Sequence, residues 1–396
     1  MATEPTIWRL PPRERHRHLG ADVAHFLRHV DYVLLAAVAA VVGYGLWIVQ
    51  TVTQDDIPGD PDRFLIRQAI YVAVGAVALA GATAVSPDLW RRHRNLLLGL
   101  ALALMVIVFA IGPSVRGSQR WIDLGSFQLQ PSELGKIVLV VFIAGFLADR
   151  SKRLGEARTV LAAVGIASIP ILLVFFQPDF GTALVFSAGL AAALFFAGVR
   201  WQHLTALALV AAGLAVAVLW ALPATGVQVL RPYQVDRLVG FINPDSDPSG
   251  TTYNVNQSVT AVGAGGLDGR GVQGATQTNL NYLPEHATDF IFASLAEQRG
   301  FLGASILLLL YALIVWRGIK IVAVADSLFS ATVAGAIVSA FLFQVFLNLG
   351  MTIGIAPITG IPLPFVSYGG SAMITSLAMI GILQAIHVRG RLGGRR

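Results

Sequence analysis

Apolar residues fall along this chain in blocks about 20 long, divided by short polar or charged stretches. They do not follow the period of an amphipathic helix or a half-buried strand. The runs from Tyr32 to Val52 and from Leu204 to Leu222 are typical. Each is long enough, as a helix, to cross a hydrocarbon core about 30 Å thick. The pattern predicts ten spans, at about 31–53, 67–86, 95–113, 131–148, 159–177, 180–199, 204–222, 301–316, 331–350 and 368–387. The expected fold class is therefore an all-α polytopic membrane protein, with a membrane domain over 31–388. A basic segment, 1–30, precedes it and a basic tail, 389–396, follows. The first apolar run is too long for a signal-peptide core and lacks a clear small-residue cleavage site, so it reads as a retained helix.

Composition agrees. Hydrophobic residues make up 55% of the 396 and charged residues only 13%, against about 25% charged in a soluble domain. The formal net charge of +6 would suggest nucleic acid in a soluble protein, but here the charges are sorted by side. Nineteen of the 28 Lys and Arg fall on one set of alternate connections, including both ends of the chain; eight fall on the other, and Lys136 lies inside a span. Lys and Arg collect on the cytoplasmic side. The asymmetry predicts cytoplasmic termini, an even number of spans and no nucleic-acid partner. Cysteine is absent, which excludes disulfides, thiolate nucleophiles and cysteine metal sites. The eight histidines show no HExxH spacing.

The outer face then carries one very long connection, about 223–300, rich in Gly, Asn, Gln, Thr and Asp. Near its end, 289–297 is apolar but too short to span. It is expected to be a re-entrant segment, tolerable at membrane depth only where protein or a wet cavity shields it. Three inbound helices begin with proline: Gln130-Pro131, Gln177-Pro178 and Leu363-Pro364. Proline suits a first helical turn, where its missing N–H has no partner to lose. Several helix N-termini facing one cavity would also attract anions.

Charges within or beside apolar segments are functional candidates by default. Here they are Glu133, Lys136, Asp179, Glu285, Asp289, Glu297 and Arg299, with Arg116, Arg120 and Asp123 in the loop before the fourth span. Glu133 and Lys136 stand at i, i+3 and can face each other, as an ion pair or with Lys136 turned to an anionic group. Asp289, beside Phe290 and Phe292, sits at the mouth of the re-entrant segment. A carboxylate in a partly dry site gains proton affinity and can act as a general base. Trp121 reads as an interface anchor or a stacking platform for a sugar ring.

Five strings in order resemble the motifs of the SEDS family (shape, elongation, division and sporulation). They are Arg116-Gly-Ser-Gln-Arg-Trp121-Ile-Asp-Leu-Gly125, Gln130-Pro-Ser-Glu-Leu-Gly-Lys136, Gln177-Pro-Asp-Phe-Gly-Thr-Ala183, Leu283-Pro-Glu-His-Ala-Thr-Asp289-Phe-Ile-Phe292, and Gly360-Ile-Pro-Leu-Pro-Phe-Val-Ser-Tyr-Gly-Gly-Ser371. With the surrounding spans the resemblance covers about 30–390. The stretch Asn348 to Thr359 is more similar to the elongation (RodA-like) members than to the division (FtsW-like) ones. The resemblance implies a peptidoglycan glycosyltransferase of the bacterial cytoplasmic membrane that polymerises lipid II on the outer side, beside a class B penicillin-binding transpeptidase. It places the family's essential acid on Asp289, its tryptophan on Trp121 and its buried lysine on Lys136. The candidates for contact with substrate are Arg116, Arg120, Trp121, Lys136, Asp179, Glu285 and Ser367. Two positions depart from the usual pattern. Gln128 stands where many members carry a basic residue. Ala287 stands where many carry histidine, leaving His286 one place early and without an assigned role.

In such a reaction Asp289 would take the acceptor hydroxyl proton while Arg116, Arg120 and Lys136 meet the departing pyrophosphate. A divalent cation (Mg or Mn) would also neutralise it, although no ligand cluster demands one. Two other classes share much of this pattern: a flippase for the lipid-linked precursor, which needs no base, and a non-catalytic scaffold for the transpeptidase, which needs no buried charge.

Overall fold

The computed structural model describes residues 28–112, 119–123, 125, 127–225, 235, 241 and 252–393; Arg116 lies outside them. Its helices are α1 (Tyr32–Thr53), α2 (Arg63–Ala84), α3 (Pro87–Ile111), α4 (Pro131–Asp149), α5 (Ala157–Phe176), α6 (Phe180–Phe196), α7 (Trp201–Val216), α8 (Tyr253–Gly265), α9 (Ile291–Val324), α10 (Leu328–Thr352) and α11 (Gly370–Gly393). All but α8 correspond to the ten expected spans. Among the described residues nine helices are long and apolar enough to cross a membrane, and α6 is a shorter apolar helix.

Helix ends depart from the expected limits where charge and helicity part company. Helix α3 begins at Pro87 rather than near 95, because Ser86 is extended and Pro87 starts the first turn. Its early turns carry Arg91, Arg92 and Arg94 beyond the apolar stretch. Helix α9 runs on to Val324 and α11 to Gly393, so much of the expected separate tail 389–396 is helix. Hydropathy marks the depth of the hydrocarbon, and helices continue past it.

Helices α4, α10 and α11 form the enclosed centre, with Ile143 and Leu147 of α4 almost fully buried, as are Phe186 of α6 and Leu307 of α9. Helix α2 packs mainly on α11 and leaves Ile66, Ile70, Val74 and Val77 exposed. Helix α7 buries no residue at all. These apolar faces suit hydrocarbon, where an exposed leucine costs nothing.

Both ends of the described chain lie together. The Asp31 carboxylate accepts from Leu34 N, capping α1, and from Arg317 Nε and Nη2 at 2.9 and 2.6 Å. The Gln384 side chain brackets the Asp31 peptide, accepting from its N–H and donating to its carbonyl, both at 2.9 Å. Asp149 at the end of α4 pairs with Arg91 (2.6 Å) and Arg94 at this same end.

The expected re-entrant segment is the first part of α9. Residues 291–298 are a buried half-helix, broken at Gly300 (φ 61°, ψ −163°) before the span continues. A break inside apolar surroundings frees backbone groups that need partners. The turn after α8 supplies them. Phe301 N donates to Gly266 O (2.9 Å) and Leu302 N to Leu267 O (3.1 Å), while Arg270 N donates to Glu297 O (2.8 Å). The Glu297 carboxylate, fully buried, accepts from Gln277 N, Thr278 N and Thr278 Oγ1 at 2.8–3.0 Å.

Gly300 is irreplaceable on these grounds. Its backbone angles are open almost only to glycine, and a Cβ there would lie 2.4 Å from both Gly269 N and Leu267 O. Gly300→Ala is expected to destabilise the purified protein by at least the ~1–3 kcal/mol of such strain. A thermal melt in detergent checks this; an unshifted midpoint would refute it.

Candidate active site

At the end opposite the termini, four pieces of chain meet: the short hairpin of β1 (Ile122–Asp123) and β2 (Gln128–Leu129), the start of α6, the loop 283–290, and the loop 360–371. Each carries one of the motifs noted above. Side-chain hydrogen bonds tie them into one continuous chain.

It begins at Asp179, 2% exposed, which caps α6 by accepting from Thr182 N (3.1 Å). Gln130 Nε2 donates to the other Asp179 oxygen at 3.0 Å. Gln130 N donates to Ser371 Oγ (3.0 Å), and that hydroxyl donates to Gln128 O (2.8 Å), fastening the hairpin to α11. On the next loop Ser367 Oγ accepts from Leu363 N (2.7 Å) and donates to Thr288 O (2.6 Å). Tyr368 N donates to Ala287 O at 2.9 Å. Gln68 on α2 closes this corner, donating to Ser367 O (3.0 Å) and accepting from Gly369 N (3.1 Å).

Asp289 is thus held by its backbone on both sides. Ser367 grips the carbonyl before it, and Asn348 Nδ2 on α10 donates to Asp289 O (2.8 Å) and to Ile361 O (2.7 Å). The residue is half-buried at the lip of the half-helix, next to buried Phe290. Glu285 stands one turn earlier with φ 56°, and Phe365 faces the same loop pair with φ 67°. Left-handed backbone at non-glycine residues costs of order 1–3 kcal/mol and persists where surroundings enforce it, often at functional sites. Glu285 Oε2 accepts from Thr288 Oγ1 at 2.7 Å, so the acid braces the loop that carries Asp289.

The remaining predicted residues divide. Arg120 is partly buried, donates to Pro178 O, and lies 3.8 Å from Asp179. Its Nε is buried without an acceptor. Trp121 is partly exposed at the foot of the hairpin, its carbonyl against the end of α3 at Gly112. Lys136 forms the ion pair with Glu133, Nζ lying 2.9 and 2.8 Å from the two oxygens, and both residues are buried. Lys136 also donates to Gln344 Oε1 (3.4 Å), whose amide donates to Pro362 O (3.2 Å). This pair reaches the 360–371 loop through Gln344.

Several residues here went unassigned from sequence. His286, 9% exposed, turns Nε2 to both Asp56 oxygens at 3.2 Å and Nδ1 to Leu283 O at 3.2 Å. It ties the loop between α1 and α2 to the Asp289 loop. Gln68, Gln344 and Asn348 are lone amides in apolar runs, a signal that a search for charge passes over. Exposed Arg67 precedes Gln68 on α2, and the Tyr71 ring packs against that of Tyr368. Among the described residues no three His, Asp or Glu side chains converge to form a metal cage.

Residues 30–392 match the cell cycle protein family that takes in FtsW, RodA and SpoVE. The peptidoglycan glycosyltransferase MrdB of Escherichia coli strain K12 is 35% identical over 364 residues, covering 92% of this chain and 95% of MrdB. A probable peptidoglycan glycosyltransferase FtsW of Thioalkalivibrio sulfidiphilus is 37% identical over 374 residues, covering 91% of this chain and 90% of that protein. A chain from a structure concerning coordination of polymerization and crosslinking by a peptidoglycan synthase complex superposes with a TM-score of 0.75 at 28% identity. It covers 91% of this chain and 98% of that one. Motifs, fold and relatives agree that the chain belongs to the FtsW, RodA and SpoVE family of cell cycle proteins, the SEDS family.

Proposed function

We propose that this protein is a peptidoglycan glycosyltransferase that polymerises lipid II, with Asp289 as general base. The observation that carries the reading is the hydrogen-bonded chain that brings the family's motif residues together and fixes the backbone on both sides of Asp289. Relatives named as peptidoglycan glycosyltransferases support the reaction class. The termini are cytoplasmic and the site faces outside, on the charge asymmetry between the two faces. The stretch from Asn348 to Thr359 favours the elongation role.

Asp289 accepts the proton of the acceptor sugar's 4-hydroxyl as its oxygen attacks the anomeric carbon of the lipid-linked donor. The bond to the pyrophosphate breaks in the same displacement, so the linkage inverts. Arg120, with its unmet Nε donor, supplies positive charge to the leaving pyrophosphate. The N-termini of α4 and α6 lie on the same side. A divalent cation, if used, would share that charge with the substrate phosphates. Lys136, already paired, holds the 360–371 loop through Gln344. Cross-linking falls to a class B penicillin-binding transpeptidase partner, as the synthase complex with this fold suggests.

The primary test is lipid II polymerisation by purified protein with its transpeptidase, comparing wild type with Asp289→Asn. Loss of about 10²–10⁴-fold is expected for removing a base. Full activity in the variant would move the base elsewhere. If neither protein makes strands while liposomes show precursor crossing, the flippase reading replaces this one.

Ser367→Ala removes the donor to the partly buried Thr288 O and the acceptor for Leu363 N, at about 1–3 kcal/mol. Its turnover is expected to drop about tenfold or more with substrate half-saturation little changed. A loss confined to substrate affinity would contradict a positioning role.

Lys136→Met leaves Glu133 buried and unpaired and should destabilise by about 3–5 kcal/mol, whereas Glu133→Gln with Lys136→Met recovers most of it. Thermal melts rank the three proteins. A double variant that is stable yet inactive would place Lys136 at the substrate after all.

A further inference from the structure

The end of the bundle opposite the proposed active site holds an open cavity of about 810 Å³, lined by Arg28, Asp31, Arg317, His387 and Arg391 among others. Its charges are unequal. Asp31 is consumed by Arg317 and by the cap of α1. Among the described residues neither Arg28 nor Arg391 pairs with an acid, so both stand uncompensated at the mouth. In the wall, His387 is 6% exposed and its Nδ1 has no hydrogen-bond partner. Next to the cavity, on the neighbouring flank of α9, Lys320 Nζ sits 3.7 Å over the exposed Trp316 ring. Tryptophan with lysine or arginine marks the headgroup level of a bilayer, which sets the cavity at the depth of lipid phosphates.

We propose that this cavity binds the phosphate of an anionic phospholipid headgroup, held between Arg28 and Arg391 with Lys320 at the flank. Each element supports that occupant over a soluble one. The walls are the ends of α1, α9 and α11; α1 and α9 carry the exposed Tyr32, Val33, Trp316 and Ile319 beside the cavity, and basic pockets between helices at this level suit anionic headgroups. The depth of the Asp31, Arg317 and Gln384 network gives the pocket a rigid floor independent of any ligand.

The test is native mass spectrometry of the purified full-length chain, released from micelles carrying equal phosphatidylglycerol and phosphatidylcholine. Wild type is expected to retain phosphatidylglycerol preferentially. Arg28→Ala with Arg391→Ala should weaken that retention about twenty-five-fold, at roughly fivefold per cation near an anionic surface. Both arginines are at the surface, so the variant should fold; an unchanged thermal midpoint verifies it. Arg92→Ala, outside the cavity, is the control and should behave as wild type. Equal retention of the two lipids, an unaffected double variant, or an equal loss in the control would overturn the proposal. So would displacement of the lipid by millimolar inorganic phosphate or by a soluble acidic peptide, which would assign the cavity to a free anion or to a protein segment. Lipid retention is read without reference to polymerisation, so the result stands apart from the enzymatic reading.

Discussion

Backbone groups freed inside an apolar slab must find partners within the protein. The broken helix α9 is where this chain meets that demand most sharply. Its half-helix carries Ala293, Ser294 and Leu295 into full burial, and it stops at Gly300. The turn after α8 answers the break with its own carbonyls and one N–H, and Glu297 caps the next turn of chain. Without that arrangement the loop bearing Asp289 would have no fixed floor. The loop's upper side is then secured from α10 and from the 360–371 segment.

The candidate site is therefore a product of long-range amide and hydroxyl contacts more than of charge pairs. Asn348, Gln344 and Gln68 each reach two groups from inside a helix, and each connects elements far apart in the chain. Amides do this at lower desolvation cost than ions. Of the buried charges, Lys136 with Glu133 and Asp31 with Arg317 are matched and sit at the supports of loops, whereas Glu297 is met by neutral donors of Gln277 and Thr278.

Much of this was legible in the amino-acid order. The ten apolar blocks translate into helices because runs about 20 long with no period of two suit helices and not barrel strands, and the Glu133 to Lys136 spacing allowed the pair as one of two readings. The Gly-rich long loop and its short apolar end signalled a segment buried without crossing. Part of what stayed hidden depended on distance along the chain. His286 and Asp56 meet from 230 residues apart, and no local pattern announces it. Asp179 drew notice for its charge but serves as a cap, and the Thr182 N–H it accepts from lies three residues on. Helix ends slipped because arginines at 91, 92 and 94 read as loop although they continue a helix into the aqueous layer.

The chain of hydrogen bonds from Asp179 to Asp289 also distributes mechanical stiffness. It locks together α4, α6, α10, α11 and the loops above them, so those elements strain as one body. Helix α7 buries nothing, so little protein resists its displacement. A substrate with a long hydrocarbon tail meets a hard rim on one side and a compliant wall on the other, and the wall is the side where lipid can yield to lipid.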